Sequence, residues 1–482
     1  MKPESIKIDL FPSGIPEDIA YIVKKFTDSN YEIFLVGGAV RNLITYGDKN
    51  IDWDFDFTTS ATPDEVISLF KNEGKKSKIF TVPTGIQHGT VSLVIKHGDK
   101  YVNYEITTYR IERNYEDGRH PKEVKFATSL YEDLSRRDFT INAMAYDVFG
   151  RCLLDPFGGL KDLKNRLIRT VGNPLERFNE DGLRPIRACR IAAQLNFEID
   201  KDTFNAIPIA LDVVKKVSME RIKDELMKLL SKADKPSKGI ELMRDSGILE
   251  IFMPELLEGY KVEQNEFHRY DIYYHNLYTC DAIPKSKPLV RLAGLLHDIG
   301  KARAKKYALE HGIGNVFYNH EVIGERMAEK ILKRLKFSNA EITTVKMLIR
   351  LHMFYYTDEW TDGAVRRFLR KFDGDLKFLE DLFDLRKGDR IGSGMKNREA
   401  EILEKFNKRI QKVIEEDNAL KVTDLDIDGH DIMNYFNLKP SRIIGEMLEF
   451  MLQKVLDDPS LNKKEELLKI GKAFLEERKN SN

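Results

Sequence analysis

Cysteine and tryptophan are scarce in this chain and net charge is absent, and the cysteine and charge shortages each narrow what the protein can be. Its 482 residues hold three cysteines, Cys152, Cys189 and Cys280, odd in number and widely spaced. No C-x-x-C occurs, so neither a disulfide framework nor a zinc-thiolate site is expected, and a reducing compartment fits. Lys+Arg and Asp+Glu both number 78, which gives a formal charge of zero. A nucleic-acid partner would then be held by local basic patches, because there is no global field to attract it. No apolar run approaches the ~18 residues needed to span a bilayer. The opening MKPESIKIDLFPSG has no charged-then-apolar signal pattern. The expectation is a cytoplasmic protein with no membrane partner.

What is present is ordinary in bulk and unusual in detail. Hydrophobic residues make up 42% and charged residues 32%, as in helix-rich globular chains, and the length allows several domains with ample core. Up to about Val171, short β-like runs (YEIFLVGG, HGTVSLVI, YVNYEITTYRI, RLIRTVG) mix with turn signals and a few helices. From Pro174 onward nearly every segment has helical period, as in GLRPIRACRIAAQLNF and GERMAEKILKRLKF. Breaks are expected at KADKPSKG, around Asn265 and after Gly394.

The segment FLVGGAVRNLITYGDKNIDWDFDFTTSA, residues 34 to 61, carries the first chemistry. In a strand, residues i and i+2 share a face, so Asp54 and Asp56 would point together while Phe55 and Phe57 enter the core. Two aligned carboxylates suit a pair of Mg²⁺ ions. Gly37 and Gly38, between a strand and a helix expected over Ala39 to Tyr46, let backbone N–H groups approach a triphosphate. The plainer reading is a tight turn beside a solvated strand edge. Glu105 in NYEITTYR is the candidate third carboxylate, on a strand that could lie beside the first. Residues 110 to 125, RIERNYEDGRHPKEVK, are polar and aperiodic and read as a mobile loop over the site. In SRRDFTINAMAYD, Arg136 and Arg137 could hold a triphosphate, and Asp138 could contact ribose or cap a helix. In ERFNEDGLRPIRACRIAAQ, a helix would make Asp181 and Arg184 i, i+3 neighbours and continue a basic stripe through Arg187 and Arg190. That stripe is either a solvated surface or a base reader, since a carboxylate accepts from an exocyclic amine while an arginine donates to ring acceptors. Cytosine and adenine present such an amine beside a ring nitrogen; uracil and guanine do not.

A second cluster is rich in histidine. Six of the ten histidines fall between His268 and His352. His297-Asp298 at the end of an apolar helix, with His275 upstream and Asp389 downstream, matches the spacing of a metal-dependent phosphohydrolase helical domain. Such ligands suit Mn²⁺, Fe, Ni²⁺ or Zn²⁺, and His320 and His352 could support a second ion.

Together these segments resemble the class II tRNA nucleotidyltransferases, the template-independent CCA-adding enzymes, with their poly(A) polymerase relatives. LVGGAVRN with DFDFTTSAT is similar to the first family motif, RRDFTINAMA to the second, DPFGGLKDLKNRLIRTVG to the third, EDGLRPIR to the fourth and ERIKDELMKLL to the fifth. The resemblance implies an α+β chain: a Polβ-like nucleotidyltransferase head over residues 1–172, a helical neck for base reading and RNA binding over 173–260, an HD-type phosphohydrolase body over 261–394 and a tRNA-holding helical tail over 395–482. It implies transfer of CMP and AMP from CTP and ATP to a tRNA 3′ end, with Mg²⁺ held by Asp54 and Asp56. Asp54, Asp56 and Glu105 would be catalytic. Gly37, Gly38, Arg41, Arg137, Asp138, Asn142, Asp181, Arg184, Arg187 and Arg190 would bind the nucleotide. Two departures stand out: Asp52 before Trp53 offers a competing Asp52/Asp54 register, and Gly182 and Pro185 sit where a helix is expected, although proline is tolerated in a first turn. Rival readings are a CC-only or A-only enzyme, a poly(A) polymerase (against which GIQHGTVSLV lacks a basic LGRRF-like stretch), a hydrolase of RNA or nucleotides working through the histidine centre, and a non-enzymatic RNA chaperone.

Overall fold

The structure is a computed structural model and describes residues 5–49, 55–71, 79–82, 89–115, 121–127, 129–264, 268–394, 399–416 and 422–480. Asp52 and Asp54 lie outside the described residues. The chain divides into two compact units, Met1–Pro254 with Arg334–Phe337, and Glu255–Lys333 with Ser338–Asn482. The segments expected as head and neck fall mainly within the first unit, and those expected as histidine-rich body and tail within the second.

The first unit is built on a mixed sheet. Its strands are β1 (Ser5–Lys7), β2 (Ile33–Val36), β3 (Phe55–Thr59), β4 (Ile79–Val82), β5 (Thr90–His97) and β6 (Lys100–Thr108), followed by β7 (Arg110–Tyr115), β8 (Pro121–Phe126), β9 (Ala145–Asp147) and β10 (Cys152–Leu154). Eight of them form one sheet in the order β1-β10-β9-β2-β3-β6-β5-β4. β3 runs antiparallel to β2 and parallel to β6. Alternation along β3 works as the sequence expects: Phe55 and Phe57 are buried on one face, and Asp56 between them is only half-buried on the other. Gly37 turns the chain at φ 71° from β2 into the helix Gly38–Tyr46, a left-handed conformation that glycine adopts without a Cβ penalty.

β7 and β8 correct one expectation. Residues 110 to 125 contain an antiparallel ribbon, with Arg110 opposite Phe126 and Tyr115 opposite Pro121, instead of a loop without regular structure. A two-stranded ribbon is held by cross-strand backbone hydrogen bonds, so it need not carry the apolar alternation by which strands are recognised.

After the sheet, the helix Leu183–Leu195 packs on Met219–Lys232 and Pro236–Asp245. In the second unit the helices Ile272–Ala282, Pro288–Leu296, Asn339–Leu351 and Leu376–Gly392 pack together, and Arg442–Asp457 buries Met447, Met451, Leu452 and Val455 in a core shared with Lys464–Asn480. Among the described residues no helix is long and apolar enough to cross a membrane.

Candidate functional sites

In the first unit the β3/β6 register sets Asp56 directly beside Glu105, so two carboxylates from neighbouring strands face one cleft. The cleft has a volume of about 360 Å³ and is lined by four carboxylates and six arginines, among them Arg110 and Arg221. A Cβ built on Gly37 would stand 3.4 Å from Arg137 Nη1 and 3.7 Å from Asp56 Oδ2. The glycine turn, the acid and the arginine therefore meet at one end. Such a mouth can take a polyanion on its arginines and a hard divalent cation on its paired carboxylates.

The arginines are fixed from behind. Buried Asp133 accepts from Arg136 Nε and Nη2 at 3.0 and 2.7 Å, from Arg137 Nη2 at 3.2 Å and from Thr58 Oγ1 at 3.1 Å. Burial alone would raise the Asp133 pKa; the two arginines outweigh it and hold the carboxylate below its usual value. Sequence reasoning missed Asp133, although its i, i+3 and i, i+4 spacing to Arg136 and Arg137 is a legible helical signal.

Asp138 lines the cleft and does not cap a helix. Its Oδ2 accepts from Arg187 Nε and Nη2 at 2.9 and 2.7 Å, while Oδ1 accepts from the Phe139 N–H at 2.8 Å and Asn142 Nδ2 at 3.1 Å. Burial opposes ionisation here too, and the Arg187 charge with these hydrogen bonds pulls the pKa far below the carboxylate range. Asn142 Oδ1 in turn accepts from Arg41 Nη1 at 2.7 Å. Arg41 is buried, and that burial lowers its pKa to about 10. Arg190 lies outside the cleft lining and pairs with buried Glu225 and with Gln194 Oε1.

The fourth motif is a break between helices. The helix Pro174–Glu180 ends, Asp181 is extended at φ −146° and ψ 110°, and a new helix begins at Leu183. Asp181 and Arg184 are therefore not partners on one helix. Asp181 Oδ1 accepts the Leu183 N–H at 3.0 Å, and Oδ2 accepts from Arg221 Nη2 at 2.7 Å. Arg184 donates to the Arg177 carbonyl at 2.8 Å, to the Arg136 carbonyl at 2.9 Å and to Glu180. Both side chains still reach the cleft, together with Arg187 and Arg221. Gly182, right-handed helical after the extended Asp181, is tightly packed: a Cβ there would lie 2.4 Å from the Val213 carbonyl oxygen.

The second unit assembles the histidine cluster. His275 Nε2 lies 3.1 Å from Asp298 Oδ2 and 3.3 Å from Asp389 Oδ1, and His297 Nε2 lies 3.3 Å from Asp298 Oδ2. Asp298 Oδ1 faces His320 Nε2 at 3.3 Å and His352 Nε2 at 3.6 Å. The two oxygens of Asp298 thus serve two ligand groups, and His268 joins a third with His275 and Asp389. His297, His320 and His352 each direct Nδ1 at the carbonyl three residues earlier, at 2.8, 2.8 and 2.7 Å. If Nδ1 carries the proton in those bonds, Nε2 is left as the free lone pair a metal needs. Asp298 Oδ1 and His320 Nε2 are buried and make no hydrogen bond. Acceptors that face each other without a proton between them fit a cation, and their N/O character suits a transition ion. Burial would lower the His297 pKa, yet the Asp298 charge raises it to about 10, so in the metal-free cluster a proton there offsets part of the negative charge. Lys301 Nζ stands 2.6 Å from Asp298 Oδ2, and Arg386 Nη1 donates to Asp389 Oδ2 at 3.2 Å.

Comparison with known proteins adds to this geometry. Residues 33–169 match the family model "Poly A polymerase head domain", 196–259 match "Probable RNA and SrmB- binding site of polymerase A", and 316–470 match "tRNA nucleotidyltransferase domain 2 putative". The chain is 43% identical over 238 residues to the CCA-adding enzyme of Ligilactobacillus salivarius, covering 49% of this chain and 54% of that one. It is 46% identical over 209 residues to the enzyme of Staphylococcus epidermidis, covering 43% and 48%. The matched stretch spans about half the length of these curated relatives. A crystal structure of the Bacillus stearothermophilus CCA-adding enzyme in complex with CTP aligns with TM-score 0.65 at 25% identity, over 95% of this chain and 98% of that one. The Thermotoga maritima CCA-adding enzyme complexed with tRNA aligns with TM-score 0.51 at 19% identity, over 96% and 97%, a likeness of fold.

Proposed function

We propose, from its similarity to the CCA-adding enzymes and to the poly(A) polymerase head domain, that the chain is a class II enzyme of this kind and that its first unit adds CMP and AMP from CTP and ATP to the 3′ end of tRNA. The observation that carries this reading is the register of Asp56 against Glu105 at the mouth of an arginine-lined cleft. In the reaction the terminal ribose hydroxyl oxygen bonds to the α-phosphorus, the bond from that phosphorus to the pyrophosphate oxygen breaks, and the hydroxyl proton is released. Asp54, Asp56 and Glu105 would hold Mg²⁺, which activates the hydroxyl and neutralises the leaving pyrophosphate. Arg136 and Arg137, braced by Asp133, offer charge to the triphosphate, and Asp181 with Arg184 reads the base edge. We assign catalysis to residues 1–172, base reading to the neck 173–260 and tRNA holding to the tail 395–482.

The test is to incubate tRNA transcripts ending in the discriminator base, in C or in CC with single nucleotides and to sequence the products. Full activity adds C, C and then A, and Asp56→Ala should lose all three steps, on the order of a thousandfold or more. Addition of only CC, only A, or long A tracts would replace this reading with a partial enzyme or a poly(A) polymerase. No pyrophosphate from any transcript would reject nucleotidyl transfer altogether.

A second activity is favoured by the buried, unpartnered ligand atoms of the second unit. There we propose phosphoester hydrolysis, on 2′,3′-cyclic or 2′-phosphate ends that would block extension. Water oxygen bonds to phosphorus, one ribose-oxygen-to-phosphorus bond breaks, and the departing oxygen takes up a proton. His275, His297, Asp298 and Asp389 would hold one ion, with His320 and His352 beside Asp298 for a second, supplying an activated water and charge neutralisation. Lys301 and Arg386 stand where the phosphoryl oxygens would be neutralised.

A further inference from the structure

The cleft over the histidine cluster has a volume of about 580 Å³, large enough for a whole nucleotide and larger than a bare phosphate needs. Its floor carries Asp298, His320, His352 and Asp389, and Lys301, Arg386 and Arg390 line the same space. Its rim is different in kind: Tyr318 and Tyr355 line it while 70% and 68% exposed, and Met353 beside them is 56% exposed. Phe317, next to Tyr318 in sequence, lines the same space and has the Lys301 ammonium 5.6 Å from its ring centroid. Unpaired bases stack on exposed aromatic faces with little regard to sequence. Phosphate-binding cations and metal ligands at the bottom with aromatic faces at the mouth match a molecule that is anionic at one end and a flat heteroaromatic at the other.

Resting on the hydrolase reading of this centre, we propose that Tyr318 and Tyr355 form a nucleobase platform that restricts it to phosphoesters borne on a ribose with an unpaired base, either a free nucleotide or an RNA 3′ terminus. The two tyrosines are specificity-determining residues that grip the base while the cluster below acts on the phosphate. Duplex ends, whose bases are already stacked and paired, are excluded because the base cannot turn onto the rings.

The test uses the full chain loaded with Mn²⁺, Ni²⁺ or Co²⁺ and three substrates: adenosine 2′,3′-cyclic phosphate, an oligoribonucleotide ending in the same group, and glycerol 2-phosphate, which has no ring. For Tyr355→Ala and Tyr318→Ala, the preference in kcat/KM for the nucleotide substrates over glycerol 2-phosphate should fall roughly 5- to 150-fold. Tyr355→Phe and Tyr318→Phe keep the ring face and should retain the preference. Equilibrium dialysis of adenosine 2′-monophosphate against the metal-free protein gives a second readout, with the alanine variants binding more weakly by a similar factor and the phenylalanine variants unchanged. Binding by the first unit is common to all variants and cancels. Alanine variants that keep the preference and the affinity overturn the platform. If wild type hydrolyses none of the three substrates, the hydrolase reading fails, and the dialysis series alone then upholds or rejects base capture by the two tyrosines.

Discussion

Asp181 is the residue on which nucleotide choice should turn, and the structure gives it an unexpected partner. Arg221 Nη2 donates to Asp181 Oδ2 at 2.7 Å and the Leu183 N–H to Oδ1 at 3.0 Å, which orients the carboxylate while leaving each oxygen a further lone pair. A carboxylate held in this way can accept the amine of C or A and repel the carbonyl of U or G, a discrimination of roughly 1 to 3 kcal/mol. Asp181→Ala should therefore admit UTP or GTP while slowing CTP. Arg221→Met should produce the same misincorporation in weaker form, and the double variant should be no worse than Asp181→Ala; additive losses in single-nucleotide assays would separate the two residues. Asp138 supports a prediction about acid. Its folded pKa is depressed, so the Asp138–Arg187 pair contributes stability that is fully present above the unfolded carboxylate value of about 3.9 and is lost as pH falls from there through the folded value. Asp138→Asn should cost about 1.5 to 3 kcal/mol at pH 7. In thermal melts the gap to wild type should begin to narrow below about pH 4 and shrink further as pH falls toward the folded value, and a gap that is constant with pH would show that the charge is not the source.

At the scale of the element, two close approaches place the working side chains. Gly182 packs against the Val213 carbonyl, so Gly182→Ala should strain the junction by about 1 to 3 kcal/mol. That corresponds to a fall of roughly 2 to 12 °C in the melting of the first unit. Because Asp181 and Arg184 flank that junction, base selection should loosen with it. Gly388 does the same for the helix Leu376–Gly392: a Cβ would lie 2.7 Å from Ile283 Cγ1, and the close packing brings Asp389 to His275. Gly388→Val should weaken transition-metal retention, measured by metal content after dialysis, before it unfolds the unit. Much at this scale was legible in the sequence. β2, the helix Gly38–Tyr46 and β3 follow from an apolar run, a glycine pair and strict alternation. The β7/β8 ribbon was not legible, and neither was the break at Asp181, whose helical spacing on both sides conceals an extended residue between two helices.

The molecule as a whole carries two carboxylate-bearing clusters, and their described residues fall in different compact units. The functions should then be separable. His297→Ala should abolish metal-dependent phosphohydrolase activity and lower the bound transition metal, while CTP incorporation into tRNA proceeds at the wild-type rate. A variant that loses both activities would mean that the units depend on one another, and wild-type protein without bound metal or hydrolysis across Mn²⁺, Ni²⁺ and Co²⁺ would leave the second unit a structural domain.

The sequence by itself determined the α+β division and the candidate residues of both sites, because glycine pairs, alternating carboxylates and His-Asp spacings are written locally. Partners were decided only in three dimensions. Asp138 meets Arg187, Asp181 meets Arg221 and Arg190 meets Glu225 across 49, 40 and 35 residues, distances over which spacing carries no information. The same holds for Asp56 and Glu105, whose approach depends on strand register, and for Asp298, whose two oxygens face different histidines only because helices distant in sequence converge on it. Local pattern sets what a residue can do; packing of remote segments sets which residue it does it with.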